Sequence, residues 1–102
     1  MKIAVASTEK KEEAEISPQA GRSTYFLIFN EKGEILEELS NPFAIGGGGA
    51  GIAIAKMMAD KNVDVLVAGR VGYNMKDALD EKGIKSFERK GIVKEVLKEF
   101  LK

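Results

Sequence analysis

Neither cysteine nor histidine occurs anywhere in the sequence. Their absence excludes disulfides, thiolate nucleophiles, structural zinc, imidazole metal ligands and the usual general base for neutral pH. A net charge of one sign is also missing, because 16 Lys and Arg balance 16 Asp and Glu. No global field therefore draws the chain to nucleic acid or to anionic lipid, and any electrostatic site must be local. No apolar run approaches the roughly 18 residues that a membrane span needs, and Met1–Ser7 passes into polar sequence without a signal-peptide pattern. These features predict a cytoplasmic protein with neither nucleic-acid nor membrane partners.

What is present suits one small α/β domain over residues 1–102. Apolar residues form 44% of the chain and charged residues 31%, enough of the first to cover both faces of a small sheet. Ile3–Ala6 is small and β-branched and reads as a short buried strand. Thr8–Arg22 carries charge before Pro18 and Gly21, has neither period, and reads as a long loop of the kind that closes over a site. Tyr25–Phe29 and Glu34–Ser40, joined by Glu31-Lys32-Gly33, predict a hairpin whose acidic second strand lies at a sheet edge.

Beyond Asn41-Pro42 the glycines 46–49 and 51 precede Ile52–Asn62, where Ala53, Ala55 and Ala59 favour helix. Val63–Gly69 is apolar save for Asp64, as in a parallel strand covered on both faces. Asn74 with Asp77 three residues on predicts a capped helix over 74–82 that ends at Gly83. Ile84–Glu88 is a short strand. Ile92, Val93, Val96, Leu97, Phe100 and Leu101 then form the stripe of a last helix.

With the strands numbered in chain order, the right-handed crossover rule arranges them as a five-stranded mixed sheet, 3-2-1-4-5, in three α/β/α layers. Only the second strand is antiparallel to the rest. Ligands of such sheets settle beyond the carboxyl ends of the strands, where Thr8–Arg22, the glycine run, Arg70–Asn74 and Arg89–Gly91 should meet. Gly47, Gly48 and Gly49 lack Cβ atoms and let backbone N–H groups turn toward one anion at a helix start. The run is no Walker A loop, since no Gly-Lys-Ser/Thr follows. Arg22, Arg70 and Arg89 are expected at the same edge, where a guanidinium fork fits an oxyanion. Asn74 is expected to cap its helix and is also a candidate ligand contact. Met57, Met58 and Met75 read as core filler.

Ser17-Pro18-Gln19-Ala20-Gly21-Arg22, then Tyr25-Phe26, Asn41-Pro42 with the glycine run, and Val65–Gly72 with Asn74 resemble the dinitrogenase iron-molybdenum cofactor biosynthesis family over nearly the whole chain. The family includes nitrogenase accessory proteins that carry cofactor precursors. The resemblance implies a ribonuclease H-like motif and adds Gln19 and Gly21 to the candidate cofactor-binding residues Arg22, Gly47, Gly48, Gly49, Arg70 and Asn74. The family pattern has histidine and phenylalanine where this chain has Gln19 and Ala20, and often histidine or cysteine where it has Ile45. An iron-molybdenum or iron-sulfur cluster would therefore be held here without His or Cys ligands, through backbone amides and arginines.

The expected function is that of a binding module and not an enzyme, a carrier or sensor of an anionic metallocofactor or a related small anion. The alternative is a protein-interaction module that meets an assembly factor and takes no small molecule. A metal-dependent nuclease needs several carboxylates at the strand ends. Asp64 lies at the wrong end of its strand for that chemistry, and Glu88 stands alone.

Overall fold

The computed structural model describes residues 1–45 and 50–101. Strand β1 (Lys2–Ser7) lies at the centre of the sheet, paired antiparallel to β2 (Tyr25–Asn30) and parallel to β4 (Val65–Ala68). Strand β3 (Ile35–Ser40) forms one edge on β2, and β5 (Lys85–Glu88) forms the other on β4. The order is β3-β2-β1-β4-β5, with β2 alone reversed, as the sequence predicts.

Side chains alternate between the two faces of a strand, and this alternation divides the core. Ala4, Ala6, Phe26, Ile28, Leu66 and Ala68 face helices α1 (Ala50–Asp60) and α2 (Tyr73–Glu81). Ile3, Val5, Leu27, Phe29, Val65 and Val67 face α3 (Val93–Leu97) and the 3₁₀ turn Lys98–Phe100 that follows it. The face with two helices carries the alanines, and the face with one short helix carries the larger residues. Gly51 allows α1 and α2 to approach closely, since a Cβ there would lie 2.9 Å from Met75 Cβ and 3.1 Å from its backbone.

The hairpin turn is built on Asn30, whose Oδ1 accepts the N–H groups of Lys32 and Glu34 at 2.9 Å each. Gly33 supplies the positive φ of 85° that this turn requires. Strand β3 keeps its acidic edge, and Glu37 pairs with Lys61 at 2.7 Å.

Several boundaries differ from expectation: α1 runs Ala50–Asp60 where the sequence points to 52–62, and β4 is confined to Val65–Ala68 within the apolar run 63–69. Helix α2 begins at Tyr73, with Gly72 as its extended N-cap and no side-chain capping bond. Asn74 therefore does not cap the helix; it lies inside the first turn, two residues past the capping position held by Gly72. Ile84 donates to Leu79 O and completes the end of α2, so β5 starts only at Lys85. The last helix tightens to 3₁₀ geometry at Lys98, a frequent way for a C-terminal turn to close.

The long segment after β1 is no free lid from Ala14 onward. Bridges join Ser7 to Ile16 and Glu15 to Ile92, and Ser17 donates to Ala6 O at 2.9 Å. Ala14, Ile16 and Ala20 are buried, so the loop is held by the same apolar burial as the sheet. Among the described residues no helix is long and apolar enough to cross a membrane.

Candidate functional site

A cleft of about 420 Å³ opens beyond the carboxyl ends of β1 and β4. Its walls come from four places in the chain: Gln19–Arg22, Phe43–Ala44, Ala50–Gly51 at the start of α1, and Arg70 with Gly72–Met75 at the start of α2. Hydrogen bonds hold these walls in register. Ala20 donates to Arg70 O at 2.9 Å, and Gly69 donates to Ser17 O at 2.8 Å. Asn41 is buried and joins two walls, since its Nδ2 donates to Gly21 O at 3.3 Å and to Ser23 O at 2.8 Å while its Oδ1 accepts the N–H of Phe43 at 2.9 Å.

The turn from β4 into α2 is set by Glu88. Its Oε2 accepts the N–H of Val71 at 2.9 Å, so this carboxylate serves the backbone of the cleft wall. Glu88→Ala should leave that N–H without an acceptor and cost about 1–2 kcal/mol, whereas Glu88→Gln keeps an acceptor and should cost less. Urea unfolding and the exchange rate of the Val71 amide measure both effects.

Gln19, Gly21, Arg22, Arg70 and Asn74 all line the cleft. Gly47, Gly48 and Gly49 lie outside the described residues, while Ala44 and Ala50 on either side of the glycine run belong to the cleft wall. Arg89 does not converge with the other two arginines. Its Nε donates to Glu99 at 2.7 Å, its Nη1 donates to Glu88 O at 2.9 Å, and its guanidinium lies over the rings of Phe87 and Phe100. The aromatic residues on the α3 side capture it, an attraction invisible in a count of charges.

Sequence reasoning missed Phe43, Tyr73 and Met75 as lining residues. Tyr73 follows Gly72 at a helix start, where an aromatic has no core to enter; that position was the available signal. Met75 reads as core filler and Phe43 carries no site signal in the sequence, and only the tertiary packing brings them to the cleft.

The charge of the cleft is one-sided. Arg22 and Arg70 line it, and no Asp or Glu does so among the described residues. Neither α1 nor α2 carries an acidic residue in its first turn, so nothing there offsets the positive character of a helix start. A second cleft of about 800 Å³ lies across Gly72 and Tyr73, and there Glu15 and Glu88 balance Arg70 and Lys90. Among the described residues no group of three or more acidic side chains is placed to hold a metal ion.

The sequence profile described as dinitrogenase iron-molybdenum cofactor matches residues 1–102. The chain belongs to the dinitrogenase iron-molybdenum cofactor family. Two solved structures share its fold at moderate identity. The orange protein of Desulfovibrio gigas, in its apo form, has a TM-score of 0.89 and 27% identity over 97% of this chain and 85% of its own. A NifB-like protein from Thermotoga, solved by NMR, has a TM-score of 0.81 and 29% identity over 97% of this chain and 85% of its own. None of the curated proteins matches the chain. Family membership and these relatives make it a small module related to cofactor handling.

Proposed function

We propose that the chain is a carrier or sensor that performs no chemical step and takes an anionic metallocofactor, of iron-molybdenum or iron-sulfur type, or a related small anion, in the cleft between Arg22 and Arg70. The observation that carries this reading is the meeting of two arginines from distant parts of the chain in one cleft with no carboxylate among its described lining residues. Guanidinium groups are weakly hydrated, present several donors in a plane and stay charged at any working pH. Such groups grip an anion by hydrogen bonds and field, without displacing its own ligands.

The donor set does not fit direct iron ligation, because the sequence contains no Cys and no His. The cargo is therefore held in the outer sphere. Ala20, Phe43 and Met75 supply apolar wall, which strengthens the arginine contacts by excluding water. The fold shared with the orange protein, which was solved in its apo form, supports a binding role here.

An anaerobic amide-shift titration with molybdate tests the proposal. The expected result is saturable movement of residues 17–22 and 70–75, with Arg89 and the α3 side unmoved. Absence of any shift in those two segments overturns it.

A further inference from the structure

The chain has five Phe and two Tyr, and of these Tyr73 alone is exposed, at 87%. The other aromatic side chains are buried or half-buried, as expected of rings whose burial contributes strongly to a core. The place of the exception is specific. Tyr73 lines both the cleft of about 420 Å³ and the cleft of about 800 Å³ beside it, together with Gln19, Arg70 and Gly72. Four shared lining residues make the two clefts adjoining lobes of one groove, with Tyr73 at their junction.

The lobes differ in chemistry. The smaller carries Arg22 and Arg70 and no carboxylate among its described lining residues. The larger adds Glu15, Glu88 and Lys90. Oε2 of Glu88 already accepts the N–H of Val71. Its other oxygen, and both carboxylate oxygens of Glu15, have no hydrogen-bond or ion-pair partner among the described residues. Ionised carboxylates only accept, so these oxygens call for N–H or O–H donors on a ligand.

We infer that the groove takes a nucleoside monophosphate, with its phosphate between Arg22 and Arg70, its base stacked on Tyr73, and the amino edge of the base donating to Glu15 and Glu88. The inference rests on the anion-binding reading above and narrows its small anion to one chemical class. Each part of such a ligand answers one feature of the groove. Two guanidinium groups match the charge and the oxygens of one phosphate dianion. An uncovered aromatic ring offers a face to a planar heterocycle, and every base has a π-face of its own. With Arg70 engaged by the phosphate, the two carboxylates of the larger lobe outnumber Lys90. That lobe therefore repels further phosphate and accepts the amino hydrogens of a base.

Amide-shift titrations with adenosine monophosphate and with ribose 5-phosphate test the inference, because the two probes differ in the base. Adenosine monophosphate is expected to move residues 17–22 and 70–75 together with Glu15 and residues 88–91, and to bind about tenfold tighter than ribose 5-phosphate. Ribose 5-phosphate should leave Glu15 and residues 88–91 unmoved. Tyr73→Ala should lower the ratio of the two affinities about tenfold, and Tyr73→Phe should keep it at the wild-type value. A change at the phosphate end affects both probes and cancels in that ratio. Equal affinities for the two probes, or residues 88–91 unmoved by adenosine monophosphate, overturn the inference and leave anion binding standing. A wild-type ratio in Tyr73→Ala likewise overturns it, since the base then gains nothing from the ring. If molybdate and both probes all fail to move residues 17–22 and 70–75, the anion-binding reading falls and the inference with it.

Discussion

Gly69→Ala should lower the stability of the protein by about 3 kcal/mol, since among the described glycines it has the tightest contacts for an added methyl group. A Cβ at Gly69 would lie 2.7 Å from Pro18 Cα, 2.8 Å from Pro18 O and 2.9 Å from Ser17 O. All three are backbone atoms of a pinned segment, so no side-chain rotation relieves the contact. The same two strands of chain are joined by the 2.8 Å bond from Gly69 N to Ser17 O; relief by separation would break that bond and spread the cleft walls. For a domain of this size the loss corresponds to a fall in Tm of about 10 °C or more. Gly72→Ala is the matched control. Nothing lies within 4 Å of its would-be Cβ, its φ is an ordinary −65°, and its stability should stay within about 0.5 kcal/mol of wild type. Thermal melts of the two variants decide the point, and a Gly69→Ala melt that overlays wild type would show that segment 17–18 can yield.

The second large effect concerns affinity. Arg22→Ala and Arg70→Ala should each weaken anion binding about tenfold, the weight of a charge-assisted hydrogen bond at a partly solvated site. Together they should cost less than the product of the single losses, because both contact one ligand and their effects are coupled. Both side chains are exposed, and among the described residues neither pairs with a carboxylate. Their removal should therefore leave the melting temperature almost unchanged while affinity falls. Arg70→Lys keeps the charge but not the planar fork and should fall between wild type and alanine. Arg89→Ala should show the opposite pattern, with unchanged affinity and a small loss of stability, because its contacts are with Glu99, Phe87 and Phe100. Calorimetric titration with molybdate at two salt concentrations separates these cases, since the arginine contribution weakens with screening. Undiminished binding in the double variant would place the anion elsewhere.

The comparison of Arg70 with Arg89 shows what a linear pattern can and cannot convey. Each directly follows or nearly follows a parallel strand, and by topology each reaches the carboxyl edge. The sheet has two faces, however, and the residue's environment on its own face decides where a long side chain goes. Arg89 meets two aromatic rings and a carboxylate; Arg70 meets a cleft. Asn74 shows a similar limit at shorter range. Its spacing to Asp77 fits a capped helix, yet the turn set by Glu88 and Val71 starts the helix one residue earlier and leaves Asn74 facing the cleft.

The sequence by itself determined the sheet order, the approximate extent of the strands and helices, and the absence of thiolate or imidazole ligands. Those properties follow from local period, turn chemistry and composition, all of which act over a few residues. Only the tertiary structure decided that Phe43, Tyr73 and Met75 join Gln19, Gly21, Arg22, Arg70 and Asn74 in the cleft expected of those five, and that Arg89 leaves it. Those outcomes depend on packing between segments far apart in the chain, and no short-range pattern encodes which side chains such packing leaves without a neighbour.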